Sequence, residues 1–157
     1  MFVLMLALGA WTLLADEGNL LRNPSFADDG LGGALNWRTE SRMEVVRGAG
    51  PDGADVMRFP LKGKTASVYQ GGIALAVGEP HRFGCWVRTK GVGGCGARIV
   101  FFNSAWRLDE NLYLPDDTKG EWKKLEWSGK IMPNGPYSFG LYIAKPAADG
   151  CVELASP

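Results

Sequence analysis

Apolar and polar residues alternate along much of this chain. In HRFGCWVRT, residues 81–89, Phe83, Cys85 and Val87 share one face, while Gly84, Trp86 and Arg88 share the other. In YSFGLYI, residues 137–143, Tyr137, Phe139, Leu141 and Ile143 fall together, opposite Ser138, Gly140 and Tyr142. A period of two places one face of a strand against a core and the other toward solvent. The same reading predicts strands at ADVMRF (54–59), ASVYQGGIAL (66–75), ARIVFFNS (97–104) and KKLEWSGKI (123–131). Turn signals separate them: GPDG at 50–53, VGEP at 77–80, GVGG at 91–94, MPNGP at 132–136 and AADG at 147–150. After the apolar start no stretch carries a helical stripe with caps. A parallel α/β fold needs crossover helices that this chain lacks. The pattern predicts an all-β protein, a two-sheet antiparallel β-sandwich or jelly roll.

The start of the chain reads differently. MFVLMLALGAWTLLA, residues 1–15, contains no charged side chain. Its apolar run is shorter than the roughly 20 residues that span a bilayer, so it reads as a secretory signal peptide cut after Ala15. Residues 16–157 then form one domain, large enough for its own core. The chain is expected to be secreted or periplasmic, monomeric and not membrane-bound. NLLRNPSF, residues 19–26, reads as a short edge strand that ends at Pro24, which has no backbone donor. Phe26 then turns into the core, and the loop ADDGLGGALNW delivers Trp37 to the sandwich.

Charge and chemistry narrow the function. The 17 basic and 17 acidic residues balance and are scattered, without the concentrated basic face that a nucleic-acid partner requires. The 22 glycines cluster with prolines between the apolar segments, as turn punctuation does. Three cysteines, Cys85, Cys95 and Cys151, leave at least one unpaired. Either Cys85 and Cys95 bridge a hairpin through the Gly-rich turn, or all three are small core residues. No CxxC or Cys/His spacing suggests zinc. His81 is the only histidine, and no nucleophile elbow, HExxH, P-loop or dinucleotide fingerprint is present. Asp109, Glu110, Asp116 and Asp117 lie in a stretch read as one solvated loop, with no acid and base roles to assign. Catalysis is not expected.

The order of several pieces resembles carbohydrate-binding modules of families four, nine and twenty-two, in the galactose-binding-like jelly-roll group. NLLRNPSF is similar to their opening Asn-Leu-Leu-x-Asn-x-x-Phe, followed by a Gly-rich loop and a Trp, here Trp37. SVYQGGIAL and VGEPHRFGCWVRTK resemble their strand ending in Gln, a Pro/Gly turn and an aromatic strand ending Trp-Val-Arg. KGEWKKLEW, MPNGPYSFGLYI and DGCVEL resemble their Gly-x-Trp strand, their Pro-containing turn with a core strand, and the start of their closing strand. The resemblance implies noncatalytic binding of a polysaccharide or oligosaccharide, with a glycoside hydrolase as associate. It also implies a structural calcium ion, held by a carboxylate after the opening Phe and an Asp in the last strand. Here Ala27 follows Phe26, with Asp28 and Asp29 late, and the last strand offers Glu153. Such a site is displaced if present, since calcium takes six to eight oxygens.

Sugar rings lie against Trp or Tyr while their hydroxyls take hydrogen bonds from amide, guanidinium and carboxylate groups. Trp86 and Tyr142 fall on the polar parity of their strands, Trp86 beside Arg88, and an exposed aromatic there suggests a use. With Gln70 they form the first candidate groove. The second is the stretch 103–120, read as a long loop, in which Asn103, Trp106, Arg107 and Tyr113 either wall a cleft as ligand-binding residues or, for Trp106 and Tyr113, pin the loop to the sandwich. The rival reading is a structural or adhesion sandwich that packs against another protein and binds no sugar.

Overall fold

The alternation seen in the sequence becomes the layering of the molecule. A computed structural model describes residues 25–26, 36–39, 43–73, 78–103, 108–130, 137–145 and 148–156. Within these the strands are β1 (Arg38–Thr39), β2 (Glu44–Val46), β3 (Val56–Pro60), β4 (Ala66–Ile73), β5 (Pro80–Lys90), β6 (Ala97–Asn103), β7 (Leu108–Tyr113), β8 (Lys123–Lys130), β9 (Tyr137–Ile143) and β10 (Cys151–Ala155). They form two five-stranded sheets, ordered β1-β4-β9-β6-β7 and β2-β3-β10-β5-β8. Every pairing is antiparallel. The predicted all-β sandwich is the fold observed. No helix among the described residues is long and apolar enough to cross a membrane.

The inward parity of each strand fills the space between the sheets. Val68 on β4, Ile99 on β6, and Leu141 and Ile143 on β9 come from one sheet. Met57 and Phe59 on β3, Val87 on β5 and Val152 on β10 come from the other, and all are buried. An aromatic cluster joins the two layers. Phe139 of β9 lies 4.4 Å from Phe83 of β5 and 5.0 Å from Phe101 of β6, centroid to centroid. Trp127 of β8 meets Phe101 at 5.4 Å. The tilted and edge-on approaches suit ring quadrupoles. Phe26 and Trp37 close one side of this cluster, with Phe26 5.4 Å from Trp37 and Trp37 6.2 Å from Phe139. Phe26 holds a left-handed backbone conformation, φ 58°. That is a costly geometry for a bulky side chain, which its burial offsets.

The structure corrects one reading of the sequence and decides another that was open. The stretch 103–120 is not one loop: Leu108–Tyr113 is an edge strand paired with β6, so Asp109 and Glu110 belong to β7 and only Asp116 and Asp117 to the loop after it. LDENLY carries charges at its centre, as edge strands do, which hides it from an alternation test. Cys85 and Cys95 are not bridged; both are buried free thiols, and Cys151 is half-buried and free. Desolvation in the core pushes the Cys85 thiol up to about 12. The expected signal peptide, the NLL strand, and Asp28 and Asp29 lie outside the described residues.

Gly140 is the most closely enclosed of the described glycines. A Cβ added at Gly140 would collide with the Val68 carbonyl oxygen and sit 2.7 Å from the Tyr69 Cβ. Backbone cannot yield as a flexible side chain would, so Gly140→Ala is expected to cost more than about 3 kcal/mol. Urea denaturation checks this, and a variant as stable as the parent would mean that β4 and β9 do not pack so closely.

Candidate functional site

Each sheet turns its second parity outward, and the two outer faces differ in character. On the β1-β4-β9-β6-β7 sheet, register brings Ser67, Tyr142, Arg98 and Tyr113 into one row across four strands. The next row is Arg38, Tyr69, Gly140, Val100 and Asn111. Beyond it Ser138 faces Phe102. Gly140 contributes no side chain, and Tyr69 meets the ring of Phe102 at 6.0 Å, edge to face, across β9. Val100 and Phe102 are buried despite their outward parity.

Tyr113 and Tyr142 are the large apolar side chains most exposed among the described residues, at 64% and 39%. Both flank Arg98, whose guanidinium carbon lies 5.1 Å from the Tyr142 ring centre and 5.7 Å from that of Tyr113. Stacking of this kind holds a cation over ring faces. It does not supply a hydrogen-bond acceptor, and the Arg98 Nε is buried with no partner. The face therefore combines flat aromatic surface with a held guanidinium, and with Asn111 and Ser138 as further polar groups.

The outer face of the second sheet is a charge ladder. Glu44, Arg58, Glu153 and Arg88 stand opposite one another across β2, β3, β10 and β5. Glu153 accepts from the Arg58 Nε at 2.7 Å and from the Arg88 Nε. Arg88 in turn lies 4.5 Å over the Trp122 ring. Burial opposes ionisation of Glu153 and is the largest single influence. The hydrogen bonds from Arg88 and Arg58, together with their positive charge, outweigh it and hold the carboxyl below its ordinary 4.5.

The residues predicted from sequence do not come together. Trp86 and Arg88 lie on the outer face of the β2-β3-β10-β5-β8 sheet, where Trp86 stands between Ala155 and Lys124. Tyr142 lies on the outer face of the opposite sheet. A single groove containing Trp86, Arg88 and Tyr142 is therefore excluded. Gln70 is 2% exposed, on the inward parity of β4 with Ala66 and Val68, and lines neither outer face. Asn103 ends β6 on the sheet that carries Tyr142, and Trp106 lies outside the described residues. Tyr69, Arg98 and Phe102 are residues of this face that the sequence reading misses, while Tyr113 belongs to its second candidate surface. The alternation of ARIVFFNS does place Arg98 and Phe102 on one face, but only the register shows that Tyr113 and Tyr142 flank the arginine.

Glu153 does not fit a calcium ligand. Both of its oxygens are taken by guanidinium groups, and the neighbouring charges are positive. Among the described residues no group of three His, Cys, Asp or Glu side chains is placed to hold a metal.

No family model matches the sequence, and no curated protein does. Solved structures share the fold. The complex of TmCBM61 with beta-1,4-galactotriose is 19% identical with a TM-score of 0.62, covering 88% of this chain and 94% of that one. The CBM22-1 xylan-binding domain from Paenibacillus barcinonensis Xyn10C is 13% identical with a TM-score of 0.53, covering 87% and 90%. The K1 cleaved adhesin domain of Lys-gingipain from Porphyromonas gingivalis W83 is 10% identical with a TM-score of 0.53, covering 80% and 90%. The chain thus has the jelly-roll fold of carbohydrate-binding modules, a fold that an adhesin domain also uses.

The Glu153 clamp makes a pH prediction. Because the folded carboxyl titrates below 4.5, its stabilisation is complete above that pH and is lost as pH falls through the depressed folded value. Glu153→Gln should therefore be about 2–4 kcal/mol less stable than the parent at neutral pH, with the gap closing under acid conditions. Denaturant titrations of both proteins across that range test it, and a gap independent of pH would show that the charge is not what matters.

Proposed function

We propose that this chain is a noncatalytic carbohydrate-binding module that lays a glycan along the outer face of the β1-β4-β9-β6-β7 sheet. The observation that carries the reading is the row Tyr142, Arg98, Tyr113: two exposed rings either side of a fixed guanidinium on the floor of one sheet. Apolar C–H faces of sugar rings lie against such aromatics. Exposed aromatic surface held in place by its neighbours is poor economy in a monomer unless a ligand covers it. Asn111, Ser138 and the Arg98 guanidinium supply hydrogen bonds to hydroxyls, and Asn103, which ends β6 on the same sheet, and Trp106 are further candidate contacts. Solved modules of this fold bind such ligands: one holds beta-1,4-galactotriose and another is named for xylan.

The wider setting follows from the same reading. Residues 1–15 act as an export signal and 16–157 as the working domain, a secreted or periplasmic monomer that brings a glycan-degrading enzyme close to its substrate. His81 and the acidic residues take no part in bond cleavage. The likeness to an adhesin domain supports a second reading, in which the sandwich packs against a protein and the tyrosine face is the contact.

A pull-down on insoluble polysaccharides, with beta-1,4-galactan and xylan in the panel, separates these. Tyr142→Ala and Tyr113→Ala should each weaken capture about tenfold, the loss expected for one stacking ring, without lowering the unfolding free energy by more than about 0.5 kcal/mol. Capture lost in Trp86→Ala and kept in the tyrosine variants would move the glycan to the opposite sheet. A folded protein that captures no polysaccharide leaves the protein-packing reading.

A further inference from the structure

The opposite sheet holds a recess made by a step in side-chain height. Its outward row Pro60, Cys151, Lys90 begins with two short side chains, while the adjacent row carries Arg58, Glu153 and Arg88. Residues 117–120, in the loop after β7, bring Lys119 against the third side. The result is a cleft of about 480 Å³ lined by Arg58, Arg88, Lys90, Lys119, Cys151 and Glu153, with Asp117 at its rim.

The charges of the cleft do not cancel. Four cationic side chains line it against two carboxylates. Glu153 is shared between Arg58 and Arg88, and Asp117 is held by the Lys119 backbone N–H at 2.7 Å and its ammonium at 3.3 Å. Among the described residues no carboxylate pairs with Lys90, and Arg88 meets Glu153 through Nε alone. Glu44, the other acid of the ladder, stands on β2 beyond Arg58, two strands from β5. Arg88 is also fixed from behind by the Trp122 ring. A guanidinium held in place by a buried carboxylate and an aromatic face, beside a free ammonium, is preorganised for a planar or tetrahedral oxyanion.

We propose that this cleft is a second ligand site, which takes an oxyanion, a carboxylate or a sulfate, carried by a small ligand. Lys90 and Arg88 form its charged wall, Lys119 its movable side, and Cys151 its floor. The site lies on the sheet opposite Tyr142 and does not rest on the glycan reading.

Amide chemical-shift titration of the full chain tests it with three probes: inorganic sulfate, D-galacturonate and, as the neutral control, galactose. Saturable shifts are expected at Arg88, Lys90, Lys119 and Cys151 with one or both anions and none there with galactose. The anion that binds identifies the preferred group. Raising the salt concentration with chloride should weaken binding, since the wall is open to solvent. The double variant Lys90→Gln/Lys119→Gln alters two exposed side chains and leaves the Glu153 clamp intact. It should bind the anion at least about fivefold more weakly, the scale of an exposed charge contact, while keeping whatever polysaccharide capture the parent has. Cys151 gives an independent readout: with Cys85 and Cys95 buried, bound anion should slow its alkylation by neutral iodoacetamide. Absence of saturable shifts with both anions overturns the proposal, as does anion binding unchanged in the double variant.

Discussion

Phe139 touches Phe83 across the gap between the sheets, and the remainder of the architecture follows from that contact. Once Phe139 points inward, strict alternation sends Ser138, Gly140 and Tyr142 outward. Once Phe83 points inward, Gly84, Trp86 and Arg88 are outward on the other side. A slip of one residue in either strand would bury Arg88 or Tyr142 and expose the cluster, a change that no local preference could offset. Phe101 and Trp127 fix β6 and β8 in the same way. The chemistry of both outer faces is therefore set from within.

What each face carries depends on the strands that become neighbours. On one side the neighbours of β9 are β4 and β6, so Tyr142 meets Arg98, and Gly140 leaves room for Tyr69 to reach Phe102. On the other, β10 lies between β3 and β5, and one carboxylate answers two guanidinium groups. Glu153 can be buried on an outer face because its charge is matched on both flanks, which is the condition for burying an ion at all. The same matching removes it from calcium chemistry. A carboxylate bracketed by arginines is a poor ligand for a cation, whatever its place in the closing strand.

Much of the fold was legible before any coordinates. The seven segments read as strands from Val56 onward are all strands, and Phe26 and Trp37 are packed where a corner and a loop were expected to bring them. The edges were not legible. β1 and β2 are two and three residues long, and β7 is polar, so periodicity has little to act on. The grouping of Trp86 and Arg88 with Tyr142 misses for a different reason. Alternation within a strand says that Trp86 and Tyr142 face away from the core, but it does not say which sheet the strand joins. Sheet membership is a matter of pairing between residues far apart in sequence, such as Tyr142 with Ser67 and Arg98. Gln70 shares its parity with Ala66 and Val68, so the same alternation that places Phe83 inside places Gln70 inside as well.

The separation of the two faces has a functional consequence. Packed sheets stand about 10 Å apart, and here the space between them is filled by side chains that cannot shift independently. A ligand stacked on Tyr142 cannot touch the cleft beside Lys90, and no shared side chain links the two. Binding on one face should then be additive with binding on the other, as for sites with no common partner. Two surfaces of different chemistry, one flat and aromatic and one recessed and cationic, would let a small sandwich hold two groups at once without any conformational change between them.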